Sequence, residues 1–247
     1  MLNNFDALPE HIAVIMDGSG RWAQRRLMPR IAGHHRGVDS TRLVVRRCVE
    51  LKIPVLTLFA FSSENWQRPE AEVSALMTLL QNSIESETKD LHTSNVRLRV
   101  IGDLSRLTSG LHKAIDAALE LTVNNTGLQL NIALNYGGRW DLANAARNIC
   151  AEVMNNRLSL ADIDEVTFAK HVSLHDLPAP DLLIRTSGEQ RLSNFLLWQL
   201  AYTELYFCST LWPDFTAKDL DLALEFFARR ERRFGAICSS LQKVDNV

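Results

Sequence analysis

The 247-residue chain is sparing with cysteine, glycine and proline, and these shortages remove classes of protein. Its four cysteines, Cys48, Cys150, Cys208 and Cys238, are far apart and form neither a C-x-x-C pair nor a zinc-ligand spacing. They read as buried or idle thiols in a reducing compartment. With 11 glycines and 7 prolines there is no collagen-like or low-complexity segment, and no linker or internal repeat divides the chain. An excess of positive charge is also missing: 27 basic residues against 29 acidic ones leave −2, which provides no global field for nucleic acid or anionic lipid. Long hydrophobic runs are absent, since the longest, residues 53–61, falls far below the roughly 20 that span a bilayer. The N-terminus lacks the basic-then-apolar order of a signal peptide. A cytoplasmic protein is expected, one that at most visits a membrane surface.

What is present is an ordinary globular balance, 46% hydrophobic and 23% charged residues, which excludes wholesale disorder and coiled coil. Length allows one or two domains at about 150 residues each, and the lack of a linker favours a single domain over residues 1–247. The cations are unevenly chosen, 21 Arg against 6 Lys. Arginine presents a rigid fork of donors matched to phosphate and carboxylate oxygens. Most of these arginines read as helix-face charges, so position has to select the functional ones.

Apolar runs of strand length, rich in β-branched and aromatic residues, occur at 11–16, 55–61, 96–101, 128–135, 182–186 and 204–208. Helical spacing separates them. Val73, Leu76, Met77, Leu80 and Ile84 share one face, as do Leu142, Ala145, Ala146, Ile149, Cys150 and Val153. This alternation predicts an α/β fold with right-handed crossovers and a mainly parallel sheet flanked by helices. Ligands of such sheets bind beyond the carboxyl ends of the strands.

Three of those ends are polar and carry arginine: Asp17-Gly18-Ser19-Gly20-Arg21-Trp22, Ser62-Ser63-Glu64-Asn65-Trp66-Gln67-Arg68, and Arg185-Thr186-Ser187-Gly188-Glu189-Gln190-Arg191. In the first, glycines let backbone N–H groups approach an anion at the start of a helix. It is neither a Walker loop nor a dinucleotide fingerprint, and an ordinary Asp-Gly turn is the plain alternative. A carboxylate beside a phosphate site is a natural Mg²⁺ ligand, which singles out Asp17. Arg30, Arg68, Arg185 and Arg191, if they converge, would balance more negative charge than one phosphate carries.

Five segments then bring a resemblance: HIAVIMDG at 11–18, AFSSENW at 60–66, NYGGR at 135–139, DLLIRT at 181–186 and SNFLLWQ at 193–199. Together they resemble the cis-prenyltransferases, most closely the bacterial undecaprenyl diphosphate synthases, over residues 11–235. The resemblance implies a Mg²⁺-dependent enzyme that adds isopentenyl diphosphate repeatedly to farnesyl diphosphate, with cis geometry, up to undecaprenyl (C55) diphosphate for cell-wall synthesis. It implies a six-stranded, mostly parallel sheet with a hydrophobic tunnel. Asp17 matches the essential metal-binding aspartate, Gly18, Ser19, Gly20 and Arg21, with Arg30, His34 and Arg68, match the allylic diphosphate site, and Trp22 is a further substrate-binding candidate. Arg185, Arg191 and Ser193 match the isopentenyl diphosphate site, with Leu192 between them as a further substrate-binding candidate, and Glu204 matches a glutamate that helps hold the metal. Asn65 matches a residue proposed to assist deprotonation, within a segment that also contributes Ser62, Ser63, Glu64 and Trp66. An amide is a poor base at neutral pH, so Asn65 reads as an essential orienting group. Ala60 and Leu128 match the small residue at the tunnel mouth and the large one at its base.

Two positions depart from the pattern. Ser19 stands where many relatives have asparagine, and Gln190 where many have a histidine that contacts diphosphate or metal. Glutamine carries neither proton nor charge, so weaker affinity for metal-bound diphosphate is expected. Arg233 and Gly235 match a tail that reaches the partner subunit's site in a homodimer, and the aromatic run at 202–212 is a candidate interface. The D-D-x-x-D segments of the trans-type enzymes are absent, and Asp162-Ile163-Asp164-Glu165 reads as a solvated turn. The alternatives are a shorter-chain cis-prenyl diphosphate synthase and a catalytically silent partner subunit. Silent subunits lose the loop aspartate and arginines that this chain retains.

Overall fold

A computed structural model describes residues 7–230; Arg233, Gly235 and Cys238 therefore lie outside the described residues. Six strands form one sheet: β1 (His11–Ile15), β2 (Val55–Ser62), β3 (Arg97–Ile101), β4 (Gln129–Tyr136), β5 (Leu182–Arg185) and β6 (Glu204–Phe207). Their order is β3-β4-β2-β1-β5-β6, and every neighbouring pair is parallel. β1 is buried throughout, as expected for a central parallel strand covered on both faces. The apolar runs thus fall where the strands are, with ends differing by a residue or two.

Helices α1 (Ser19–Arg25), α2 (Arg30–Glu50), α3 (Glu70–Thr93), α4 (Ser109–Thr122), α5 (Gly138–Met154), α6 (Glu165–Ala169) and α7 (Ala217–Ala228) complete the fold. Alternate strand residues divide the core into two layers. Ile12, Val14, Leu56 and Leu58 pack with Val44, Val45 and Cys48 of α2 and Leu220, Leu224 and Phe227 of α7. Ala13, Ile15, Phe59 and Leu183 face the other way, against Leu174, Phe195 and Leu196, with Trp140 of α5 packed behind. The predicted α3 stripe is the inner face of that helix: Val73, Leu76 and Met77 are buried. The predicted α5 stripe is only half right. Ala145 and Ile149 are buried, whereas Ala146 and Cys150 are exposed, so only a narrow strip of this helix is covered. The 162–165 cluster is exposed, with Asp164 capping α6 through the Thr167 N–H at 2.7 Å.

Two glycines set how closely α1 and α2 approach. A Cβ on Gly33 would stand 2.0 Å from the Ser19 carbonyl oxygen, and one on Gly37 would meet the indole of Trp212 at 2.9 Å. The Trp212 indole N–H donates to the Gly37 carbonyl at 2.9 Å, so α2 is pinned beneath the β1 loop.

Toward the amino ends of the strands a buried polar chain crosses the sheet. His11 of β1 contacts the Pro178 carbonyl through Nδ1 and the Thr57 hydroxyl through Nε2, both at 2.7 Å, and Asn131 of β4 donates to Thr57 at 3.0 Å. A carbonyl only accepts, so Nδ1 carries a proton and donates it to Pro178. Burial lowers the His11 pKa from 6.5 to about 4, against the raising effects of the Pro178 hydrogen bond and the Asp181 charge. The unfolded chain therefore takes up this proton first. The stabilisation is complete above pH 6.5 and is lost as pH falls toward 4, a change of about 3 kcal/mol. Urea denaturation between pH 4 and 7 is expected to show stability rising with pH, and more shallowly in a His11→Gln variant; equal slopes would contradict the neutral buried imidazole.

Candidate active site

The parallel register sets Ile15 at the end of β1 beside Arg185 at the end of β5. Two residues on, the backbone of Asp17 is clamped by Thr186, whose hydroxyl accepts from the Asp17 N–H at 2.9 Å and donates to the Asp17 carbonyl at 2.6 Å. The Asp17 carboxylate accepts from Arg185 at 2.9 Å, and Arg21 lies 3.4 Å from its other oxygen. Burial disfavours the charged form of Asp17. Hydrogen bonds from Arg185 and Ser187 and the charges of Arg185 and Arg21 outweigh it and hold the pKa below the ordinary carboxylate value. Gly18 turns the chain with φ +111°, and a Cβ there would meet Leu211 at 2.8 Å. Only glycine enters this conformation without strain.

The arginines form two groups at these strand ends. Arg185, 3% exposed, donates to Ser193 Oγ at 2.7 Å and to the Arg191 carbonyl, and its Nε is buried with no partner. Arg21 reaches Glu189 at 3.2 Å, and Arg191 pairs with the same carboxylate. In the loop after β5, Ser187, Gly188, Ser193, Asn194 and Leu196 all have positive φ, a local strain of the kind that collects at binding sites. The second group is Arg30 and Arg68, each 3.3 Å from the same oxygen of Glu72. His34 stands among them with Nε2 buried and unpartnered. Burial first, then the charges of Arg68 and Arg30, lower its pKa to about 4 despite Glu72, so the imidazole is neutral at pH 7. Both groups hold more guanidinium than carboxylate, and each contains an orphaned buried nitrogen. That arrangement fits oxyanions.

Behind this polar mouth lies a cavity of about 1090 Å³, above the usual size for a drug-sized ligand. Its long walls are α2, from His34 to Val49, and α3, from Leu76 to Leu91, with Leu58, Leu98, Leu130 and Ile132 as the sheet side. Fifteen residues of helix give it a length of roughly 22 Å. The β2–β4 register shifts between Phe59 and Phe61, a bulge that brings both Ala60 and Phe61 onto the cavity wall.

Among the residues selected from sequence, Asp17, Ser19, His34, Ser62, Glu64, Asn65, Arg68, Arg185, Arg191 and Ser193 line the cavity. Gly18, Gly20, Arg21 and Arg30 edge its mouth; a Cβ on Gly20 would touch the Arg30 guanidinium at 2.9 Å. Asn65 Oδ1 accepts from the Ser62 N–H at 3.0 Å, so its carbonyl is spent on the turn after β2. Ala60 is in the wall, whereas Leu128 is buried in the core beside Leu98 and Leu130 and does not reach it.

Other positions stand apart from the mouth. Trp22 is buried against Ala23 and Leu211 and donates to Asp214 at 2.7 Å. Trp66 donates to Asn135 at 2.8 Å beneath the Arg106 guanidinium, outside the cavity wall. Ser63 bonds Glu64 at 3.1 Å, Leu192 packs on the opposite core layer, and Gln190 is exposed. Glu204 was expected to help hold the metal. It begins β6 level with Leu182, three residues back from Arg185, or about 10 Å along the strand direction. It pairs with Arg230 at 2.9 Å. Within one chain, Glu204 and Asp17 occupy opposite ends of the sheet.

Sequence reasoning passed over Arg139, Asn194, Glu72 and Thr186. Arg139 and Asn194 line the mouth, and Asn194 donates to Glu64 at 2.7 Å and accepts from the Arg139 N–H at 2.8 Å. Arg139 follows the carboxyl end of β4, so the strand-end rule applied to that strand would have found it. Glu72 has no sequence signal beyond its place in the first turn of α3.

Asp17→Ala would strand Arg185 with a buried charge. Chemical denaturation is expected to report a loss of about 1–3 kcal/mol, discounted from a fully buried pair because Asp17 is partly exposed. Inorganic diphosphate should restore part of the loss by supplying oxyanion partners; an unchanged midpoint would show that the pair does not hold the mouth together.

Comparison with known proteins follows the same line. Residues 15–235 match the prenyltransferase family model described as undecaprenyl diphosphate synthase. An isoprenyl transferase of Neisseria meningitidis serogroup B is 52% identical over 235 residues, 95% of this chain and 92% of the relative. A ditrans,polycis-undecaprenyl-diphosphate synthase of Vibrio vulnificus, named as (2E,6E)-farnesyl-diphosphate specific, is 52% identical over 230 residues, 93% of this chain and 92% of its own. Among solved structures, lavandulyl diphosphate synthase from Lavandula x intermedia in complex with dimethylallyl diphosphate superposes with a TM-score of 0.90 at 43% identity, covering 92% of this chain and 98% of that one. A Campylobacter jejuni protein described as a probable undecaprenyl diphosphate synthase gives 0.77 at 34% identity, covering 93% and 99%. With its strand-end arginines, its clamped aspartate and these matches over nearly its whole length, the chain belongs to the undecaprenyl diphosphate synthase family of cis-prenyltransferases.

Proposed function

We propose that this chain condenses isopentenyl diphosphate onto farnesyl diphosphate in successive cis-prenyl transfers and stops at undecaprenyl diphosphate. The observation that carries this reading is one continuous cavity, with Val38, Val45, Val49, Leu76, Leu80 and Ile84 along two helices and Arg21, Arg30, Arg68, Arg139, Arg185 and Arg191 around its mouth. An allylic diphosphate has the same division, a hydrocarbon tail and a polyanionic head. The names carried by the Vibrio relatives support farnesyl diphosphate as primer.

In the reaction the allylic C–O bond breaks and diphosphate leaves with the electron pair. The isopentenyl double bond attacks the allylic carbon, and the resulting cation gives a proton to an oxygen of the departed diphosphate or to water as the new double bond forms. Negative charge grows on the departing diphosphate, and guanidinium groups fixed beforehand stabilise it where it develops. Arg30, Arg68 and the backbone of residues 18–21 hold the allylic head, with His34 as a neutral hydrogen-bonding neighbour. Arg185, Arg191 and Ser193 hold the isopentenyl head. Asn65, its carbonyl committed to Ser62, has its amide N–H groups left to orient a phosphate oxygen or water. It does not act as a base.

Mg²⁺ fits this site through Asp17. The ion takes one or two carboxylates and completes its octahedron with phosphate oxygens and water, and Asp17 is an ionised carboxylate at the cavity mouth, held by Arg185 and Arg21. Once bound, Mg²⁺ would neutralise charge on the leaving diphosphate. Among the described residues no cluster of three metal-ligating side chains exists, and Glu204 does not reach Asp17 of its own chain, so the remaining ligands are substrate oxygens and water. Gln190 offers at most a neutral amide oxygen, which supports weak metal–diphosphate affinity.

Among the described residues, no helix is long and apolar enough to cross a membrane. We place the enzyme in the cytoplasm, with transient membrane contact to release its insoluble product. A homodimer is part of the reading: Tyr202 and Leu205 are exposed on the β6 edge of the sheet, and the Arg233/Gly235 tail would reach the partner's site.

Purified protein incubated with farnesyl diphosphate, labelled isopentenyl diphosphate, Mg²⁺ and detergent is expected to give a ladder ending at undecaprenyl length. Asp17→Ala should lower incorporation by at least about 100-fold, as loss of a charge-stabilising group does. A ladder that stops after one or two additions would make this a short-chain synthase. No incorporation would make it a silent subunit.

A further inference from the structure

The walls of the cavity differ in how they are held. The sheet side is a hydrogen-bonded ladder, whereas α2 and α3 face one another across a seam where Val38, Val49, Leu80 and Ile84 are only half-buried. Among the described residues, two ion pairs join these helices. One, Arg30 with Glu72, sits at the mouth. The other lies about three turns farther along α2, where Arg42 Nη2 reaches Glu87 Oε1 at 2.6 Å.

Arg42 and Glu87 both line the cavity, although nothing in the diphosphate chemistry calls for charge at that depth. Arg42 is aimed from its own helix: its second Nη donates to Asp39 at 2.9 Å, and Arg36 holds the other Asp39 oxygen at 2.6 Å. The Glu87 hydrogen bond, opposed by slight burial and helped by the charges of Glu87 and Asp39, pushes the Arg42 pKa up. Half-exposed pairs of this kind contribute little to stability. Their geometric effect is larger, because a short contact between two long helices fixes how far apart they stand.

We infer that the Arg42–Glu87 pair is a strap across the α2–α3 seam, which holds the cavity walls at a fixed separation and so sets the length at which chain growth stops. This rests on the reading of the cavity as the site of the growing prenyl chain. While the strap is closed, the chain fills a bounded volume, and further units meet packed side chains. With the strap open, the distal end of the chain slips out between α2 and α3, and condensation continues past the normal stop.

The test is the length distribution among chains made by the full protein from farnesyl diphosphate and labelled isopentenyl diphosphate, a readout independent of overall rate. Glu87→Arg sets like charges across the seam, and Arg42→Glu combined with Glu87→Arg restores opposite ones. The single variant is expected to move the main product longer by at least one five-carbon unit, and the double variant to return it to the wild-type length. Glu87→Gln, which keeps shape and removes charge, should move it in the same direction by less. Unchanged or shorter products from Glu87→Arg, or a double variant as long as the single, would overturn the strap. A wild-type protein that makes no ladder overturns the functional reading itself and the strap with it.

Discussion

The clamp between the ends of β1 and β5 is the joint on which the site depends. Asp17 leaves β1 with its backbone held by Thr186 and its carboxylate by Arg185, so a single position joins two strand ends and one of the two arginine groups. Arg185 is nearly sealed from water, and a buried guanidinium requires an ionised partner and hydrogen-bond acceptors. Asp17 supplies the charge, and Ser193 and the Arg191 carbonyl supply further acceptors. The left-handed residues of the β5 loop are the conformations needed to aim those acceptors at one side chain.

A second constraint is the meeting of incompatible environments within a few ångströms. Guanidinium groups gathered at a mouth repel one another, and Glu72 and Glu189 offset that repulsion by each taking two arginines. The cavity behind carries no comparable charge until the Arg42–Glu87 pair. His34 stands at the boundary, neutral because burial and two nearby arginines disfavour its protonation. Close packing of Gly33 and Gly37 under α1 and Trp212 keeps α2 near enough to the strand ends for this boundary to be sharp.

Much of this was legible beforehand. The six strands were visible because parallel strands buried on both faces read as short continuous apolar runs, and the rule that ligands bind at carboxyl strand ends pointed to residues 17–22, 62–68 and 185–191. The α5 stripe misled because apolar spacing marks a face that could be buried, and Ala146 and Cys150 have nothing over them. Trp22 and Trp66 sit within site segments in sequence, yet their indole N–H groups are satisfied elsewhere, by Asp214 and Asn135.

The order of strands and helices, the arginine-bearing loops, the aspartate at the first strand end and the family to which the chain belongs were determined by the sequence alone, because each is written in local periodicity or contiguous motif. Only the tertiary structure decided which distant residues meet. The register of β5 against β6 sets Glu204 at the far end of the sheet from Asp17, Glu72 joins Arg30 to Arg68, and Arg42 of one helix faces Glu87 of another. Contacts between residues 40 or more positions apart depend on strand register and helix packing, which no local pattern encodes.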